Sequence, residues 1–166
     1  MALNESRDMF SVDEVVQLQN KWGARIVDIG IMYRANGDCR RAAQEMISEM
    51  YAYEEGGVLF KPTKAVHVQF RDTQEQALSY FVGGCIPEDH GFALRPWSNV
   101  RFDTHRVIIE GGLALVMGNY YFTDANSGQE IKVEFTFGIK RADDGRPVIF
   151  LHHSSLPYDP ENRITS

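Results

Sequence analysis

The sequence predicts an α+β domain in which a strongly curved, mainly antiparallel sheet wraps around N-terminal helices. Two observations carry this. Through the first half, apolar residues recur at spacings of three and four, the period of a helix with one buried face. From Asn99 onward the period is two, and three turn signals separate β-rich runs. Helices gathered first and a meander gathered last give a sheet that curls over the helices. The 166 residues read as one domain, large enough to bury roughly two thirds of the surface of the unfolded chain. It is expected to span 11–158, between a flexible leader at 1–10 and a tail at 159–166.

Each element has its own signal. Ser11 stands three residues before Glu14, a capping box, and Val15, Leu18, Trp22, Ile26, Ile29 and Tyr33 follow on one stripe of a long amphipathic helix. That helix stops at Asn36-Gly37, and Asp38 caps a second one with Ala42, Ala43, Met46, Ile47 and Met50 on its apolar side. After Gly56-Gly57, the runs Val58 to Lys61 and Ala65 to Phe70 read as short strands around Pro62-Thr63. Thr73 with Gln76 opens a third, short helix that carries Ala77, Tyr80 and Phe81 and ends at Gly83-Gly84. Residues 85–97, with Pro87, Asp89, Gly91 and Pro96, form an irregular connection. Gly111-Gly112, Asn126-Ser127-Gly128 and Asp143-Asp144-Gly145 then divide four antiparallel strands. In the clearest of them Ile131, Val133, Phe135, Phe137 and Ile139 alternate with Lys132, Glu134, Thr136 and Gly138, so one face is buried.

Composition narrows the function. Seventeen Lys and Arg stand against 23 Asp and Glu, a formal charge of −6, which argues against the basic footprint of a nucleic-acid-binding protein. Met1 to Phe10 lacks the apolar run of a signal peptide, and no stretch approaches the roughly 18 apolar residues of a membrane span. A cytoplasmic protein without a membrane partner is expected. Cys39 and Cys85 are too few for a disulfide framework and lack ligand spacing, so both read as structural.

The chemistry is expected on the last strand, where Val148-Ile149-Phe150-Leu151 is followed by His152-His153-Ser154-Ser155 before Pro157 ends the pairing. Strand alternation puts Ile149, Leu151, His153 and Ser155 on one face and Val148, Phe150, His152 and Ser154 on the other. One imidazole and one hydroxyl project from each face, and alternation alone leaves open which pair enters a pocket.

The order of elements resembles the cone-shaped superfamily of nuclear transport factor 2, the polyketide cyclases, ketosteroid isomerase and the association domain of calmodulin-dependent kinase. That resemblance implies a ligand pocket between the concave sheet face and the helices. More specifically, Val58-Leu59-Phe60-Lys61-Pro62-Thr63-Lys64-Ala65, Ser79-Tyr80-Phe81-Val82-Gly83-Gly84, Met117-Gly118-Asn119-Tyr120 and Leu151-His152-His153-Ser154-Ser155-Leu156-Pro157-Tyr158 are similar to the iota-class carbonic anhydrases of the bacterial and cyanobacterial branch. The similarity runs from about Trp22 to Tyr158. It implies reversible hydration of carbon dioxide to bicarbonate with no metal or other cofactor. By motif position it implies Thr63, Tyr80, His153 and Ser155 as the catalytic residues.

These residue types suit that chemistry. Hydroxyls can orient water and carbon dioxide and stabilise the charge that develops, and an imidazole of ordinary pKa near 6.5 can serve as base or relay. Ser154 and Asn119 are further substrate-binding candidates. Asn119, Tyr121 and Thr136 are candidate partners behind the site, and His152 and Ser154 otherwise point outward into a subunit contact. Arg71, Arg95 and Arg101 read as solvated surface residues rather than anion ligands. A catalytic zinc needs three converging ligands; His152 and His153 point to opposite faces, and His67, His90 and His105 stand on separate elements, which favours a metal-free site. The apolar run Val107-Ile108-Ile109 can serve both faces of the sheet, so a homodimer through the outer face is expected. Two other functions fit the fold: a non-catalytic ligand-binding or assembly module, and another lyase or isomerase with a carboxylate base.

Overall fold

The computed structural model describes residues 9–161, so 1–8 of the expected leader and 162–166 of the expected tail lie outside it. Helix α1, Val12–Arg34, begins with the capping box: the Ser11 hydroxyl accepts the Glu14 amide at 3.2 Å and the Glu14 carboxylate accepts the Ser11 amide at 2.9 Å. Its stripe of Val15, Leu18, Trp22, Ile26 and Ile29 is buried, whereas Tyr33, one turn further, is exposed. Phe10, assigned to the leader, is buried against the core with the Arg141 guanidinium 4.3 Å above its ring. Helix α2, Cys39–Met50, starts at Asp38, whose carboxylate accepts the Arg41 amide at 2.9 Å. Helix α3, Gln74–Val82, starts at Thr73 and stops at Gly83.

Five strands form one sheet. They are β1 (Leu59–Lys61), β2 (Trp97–Glu110), β3 (Leu113–Asp124), β4 (Glu130–Arg141) and β5 (Pro147–Ser155), in the order β1-β5-β4-β3-β2. Among these described strands the β1–β5 pairing is parallel, and β2 to β5 make the expected antiparallel meander. One face packs on the helices around Trp22, whose indole has the rings of Phe81, Phe102, Tyr120, Phe122, Phe137 and His152 within 6.5 Å.

The strand expected over Ala65 to Phe70 does not form. The amides of Val66, His67 and Val68 are instead taken by the Glu88 carboxylate at 2.7–3.2 Å, so the segment's donors are satisfied without a ladder. Those three amides hold the Glu88 carboxyl down at about 2. Next to this clasp Arg71, expected on the surface, is fully buried. Its guanidinium forks onto Asp89 at 2.6 and 2.8 Å, and the Ser79 hydroxyl donates to the same carboxylate at 2.6 Å. The 62–71 segment and α3 are thereby tied to the 85–91 connection.

Besides a register step at Ser98 near the start of β2, two β-bulges decide which side chains face inward. In β5 the register steps from Ile149 opposite Ile139 to Leu151 opposite Gly138, leaving Phe150 as an extra residue. In β2 it steps from Thr104 opposite Gly118 to Arg106 opposite Met117, leaving His105 extra. Each extra residue reverses the alternation beyond it. Both bulges lie opposite a glycine, and the space explains why: a Cβ on Gly138 would sit 2.9 Å from the Leu151 Cβ and 3.0 Å from the Phe150 ring, and one on Gly118 would run into the Asp103 carbonyl.

Candidate active site

The β5 bulge turns His152 and Ser154 toward the helices. Both are 2% exposed, and they lie opposite the buried Phe137 and Phe135 of β4. Their neighbours are polar groups from four other places in the fold. Tyr51, just past the end of α2, is held by a single parallel bridge to Ile149 at the start of the bulge. Its hydroxyl lies 2.9 Å from His152 Nδ1 and accepts the Trp22 indole N–H at 2.9 Å. Tyr120, on the inner face of β3, has its hydroxyl 3.3 Å from His152 Nε2 and hydrogen-bonded to Ser154 Oγ. Thr63, just past β1, completes the chain at 2.6 Å from Ser154 Oγ.

Tyr80 of α3 closes the opposite wall. Trp22, Phe60, Pro62, Thr63, Tyr80, Phe81, Phe92, Tyr120, His152 and Ser154 line one small cavity of about 10 Å³, which is close to the smallest space that holds a water. No Asp or Glu is among them. The ring of Tyr80 stacks on Phe92 at 5.5 Å, and both rings also border a wider cleft of about 400 Å³ whose rim includes Lys64, His90 and Arg95. The Tyr80–Phe92 pair is thus the partition between the inner cavity and the surface.

Burial sets the protonation states. It pushes the phenols of Tyr51, Tyr80 and Tyr120 well above their ordinary range; the Trp22 N–H opposes it at Tyr51, the Lys64 amide and Thr63 hydroxyl at Tyr80, and Ser154 and Thr63 at Tyr120. It also pushes His152 down to about 3, with adjacent His153 adding a smaller effect. All members of the cluster are therefore neutral at neutral pH. Among the described residues no three His, Cys, Asp or Glu side chains gather as a metal site requires, and no helix is long and apolar enough to cross a membrane.

Of the residues singled out in the sequence, Thr63, Tyr80 and Ser154 meet in this cavity. His153 and Ser155 do not. His153 is exposed opposite Thr136, and the Ser155 hydroxyl donates to Glu134 at 3.1 Å on the outer face of the sheet. The facing expected for the two pairs is reversed, because uninterrupted alternation from Ile149 fails at the Phe150 bulge. Asn119, Tyr121 and Thr136 share that outer face: Asn119 pairs with Glu134, Tyr121 with Lys132 and Thr136 with Met117. Arg95 and Arg101 are exposed, as expected, and ion-paired to Asp124 and Glu130. The site residues missed were Tyr120, Tyr51 and the inward role of His152. Gly138, an isolated glycine within an alternating strand, carried the signal for the bulge. Tyr120 was legible from its place in the alternation of Ala114, Val116, Tyr120 and Phe122.

Helices resting in the concave face of a curved sheet, with a polar cavity among aromatic rings, define a nuclear transport factor 2-like domain. A protein of that superfamily from Salmonella enterica superposes with a TM-score of 0.56 at 11% identity, covering 97% of this chain and 96% of that one. A second, from Novosphingobium aromaticivorans, gives 0.58 at 10% identity, covering 87% and 80%. At such identity the likeness concerns the fold alone. A closer relationship comes from sequence. The profile of the family described as metal-independent carbonic anhydrase matches residues 13–156. The metal-independent carbonic anhydrase of a Nostoc species is 40% identical over 151 residues, which is 88% of this chain and 73% of that protein. The crystal structure of a cyanobacterial iota-carbonic anhydrase complexed with bicarbonate superposes with a TM-score of 0.87 at 38% identity, covering 92% of this chain and 95% of that one. The chain belongs to the metal-independent carbonic anhydrase family.

Proposed function

We infer that this chain catalyses the reversible hydration of carbon dioxide to bicarbonate in the cavity lined by Thr63, Tyr80, Tyr120, His152 and Ser154. The observation that carries the inference is the convergence of four hydroxyls and one neutral imidazole on a single cavity, in a chain of this family. In hydration a water oxygen bonds to the carbon, one C=O π bond opens onto oxygen, and a proton leaves to solvent. Negative charge grows on the carbon dioxide oxygens as the new bond forms. Fixed hydroxyl donors in a water-poor site stabilise that charge without having to reorganise.

His153, implied as the base by motif position, lies on the other side of the sheet, and the inner imidazole is His152. A group held near pKa 3 is a weak proton acceptor near neutrality, and both of its nitrogens are within hydrogen-bond reach of tyrosine hydroxyls. In this reading His152 organises the hydroxyls rather than removing the proton from water. The absence of Asp and Glu from the lining speaks against an isomerase that uses a carboxylate base.

The assay is stopped-flow hydration with a pH indicator, before and after dialysis against a strong chelator. Activity above buffer that survives chelation is the expected result; a rate equal to buffer refutes the assignment. Thr63→Val and Tyr80→Phe are each expected to slow the reaction by about 10² to 10³.

We also propose that two copies associate through the outer sheet face. Ile108, Leu113, Leu115 and Met117 are 44–59% exposed there, and Ile108 and Leu115 are direct cross-strand neighbours. The alternation of β2 and β3 spends only one face on the helices, so this apolar row needs another cover.

A further inference from the structure

The hydrogen-bond chain through the site has a direction. Its far end is Trp22, whose indole nitrogen can only donate. Trp22 Nε1 donates to the Tyr51 oxygen at 2.9 Å, and Tyr51 is 1% exposed with no partner for its hydroxyl among the described residues other than Trp22 and His152. If Tyr51 donates to His152 Nδ1, the imidazole proton sits on Nε2 and points at the Tyr120 oxygen, 3.3 Å away. Tyr120 then donates to Ser154, and Ser154 donates to Thr63 at 2.6 Å. Every member is satisfied, and the Thr63 hydrogen is left for the cavity that Thr63 lines.

The opposite polarity has a defect. With the imidazole proton on Nδ1, the Tyr51 oxygen would accept from both Trp22 and His152, and its own hydrogen would have no acceptor in an aromatic surround of Tyr53, Phe60 and Phe81. A buried hydroxyl hydrogen without a partner disfavours that arrangement by roughly tenfold or more. Tyr120 would then spend its hydrogen on His152, and Thr63 would present a lone pair instead of a donor.

We infer that Trp22 and Tyr51 are positioning residues that fix His152 as its Nε2–H tautomer and thereby run the hydrogen bonds of the chain in one direction, leaving the Thr63 hydrogen for the substrate cavity. Neither residue touches the reacting atoms through its polar group; they act through His152. The functional consequence rests on the carbonic anhydrase reading, since a donor at Thr63 suits the oxygens of bicarbonate. The tautomer does not depend on it.

The test uses the full chain with nitrogen-labelled histidine and long-range proton–nitrogen NMR at neutral pH, with the His152 signals assigned from their loss in His152→Gln. Wild type is expected to show a proton on Nε2 and a bare Nδ1. A proton on Nδ1 overturns the inference, whatever the hydration rate. In Trp22→Phe the Tyr51 hydrogen gains the place the indole N–H held but still no acceptor, so the preference for the Nε2–H tautomer should weaken without being lost. In Tyr51→Phe the donor to Nδ1 itself is lost, so the two tautomers should become comparable, within roughly tenfold of each other. An unchanged, single Nε2–H tautomer in both variants overturns the role assigned to the two residues. Thermal melts identify a variant that fails to fold, and the wild-type measurement decides the tautomer without any variant. A protein that shows the predicted tautomer but does not accelerate hydration would sink the proposed function and leave this inference standing.

Discussion

Replacing one serine of the terminal pair should abolish most of the activity, and replacing its neighbour should do almost nothing. Ser154 Oγ is the junction of the site, hydrogen-bonded to Tyr120 on one side and to Thr63 at 2.6 Å on the other, with 2% of its surface exposed. Ser154→Ala cuts the chain at that point. Thr63 loses the partner that orients it, and Tyr120 keeps only its longer contact with His152. Losing one preorganised donor from a charge-stabilising site costs about 10² to 10³ in rate, or about 2.7–4 kcal/mol of transition-state stabilisation. The buried hydroxyls left without a partner add about 1–3 kcal/mol of lost stability. Ser155 makes one bond to Glu134 on the outer face, so Ser155→Ala should stay within about 0.5 kcal/mol of wild type in stability and keep its rate. Stopped-flow hydration and denaturant titration on the two single variants separate these expectations. Equal damage from both, or greater damage from Ser155→Ala, would refute the inward facing of Ser154 and with it the bulge argument.

Stability should fall on mild acidification because His152 is held neutral. Its folded pKa of about 3 lies below the ordinary 6.5, so the unfolded chain binds more protons between those values, and the stabilisation present above pH 6.5 is lost as pH falls. From pH 7 to 5 this amounts to about 2 kcal/mol, before the carboxylates titrate, and His152→Gln should remove it in denaturant titrations at the two pH values. Gly138→Ala should destabilise by about 1–3 kcal/mol and depress hydration, since its Cβ would meet Leu151 and the Phe150 ring that forms the bulge; wild-type stability and rate would remove the glycine from the account. Light scattering at micromolar concentration should show a dimer that Leu115→Lys converts to monomer; a wild-type monomer would reject the outer-face interface.

The fold was legible because its signals are local. The Ser11–Glu14 box, the Asp38 and Thr73 caps and the three glycine turns each act within a few residues, and each is present in the structure. What escaped was set by contacts distant in the chain. Ala65 to Phe70 has the composition of a strand, but Glu88, about twenty residues away, takes its amides first. Arg71 has the composition of a surface residue, but Asp89 and Ser79 bury it. The site was half legible for the same reason. Thr63 and Tyr80 lie in motifs that need no register, whereas the choice between His152-Ser154 and His153-Ser155 depends on a single extra residue in β5. Counting from Ile149 gives the wrong pair by one bulge, and the one mark of that bulge in the sequence is Gly138, on a different strand.

The bulge also explains how a core strand becomes a pocket wall without a charge. Regular alternation would have placed Leu151 and His153 inward, sending the imidazole past the reach of Tyr51 and Tyr120. With Phe150 extruded, His152 lands 2.9 Å from one phenol and 3.3 Å from the other. Its protonation there is opposed by burial, as the cost of an unpaired charge in a water-poor interior requires. A charged base at the same spot would need a counter-ion, and the cavity lining contains no carboxylate. Neutral dipoles avoid that cost at rest and act only when charge appears on the substrate, where the low local polarity makes each of them stronger. Tyr120, Ser154 and Thr63 are the dipoles on the cavity, and the bulged strand holds His152 and Ser154 at the spacing that joins them.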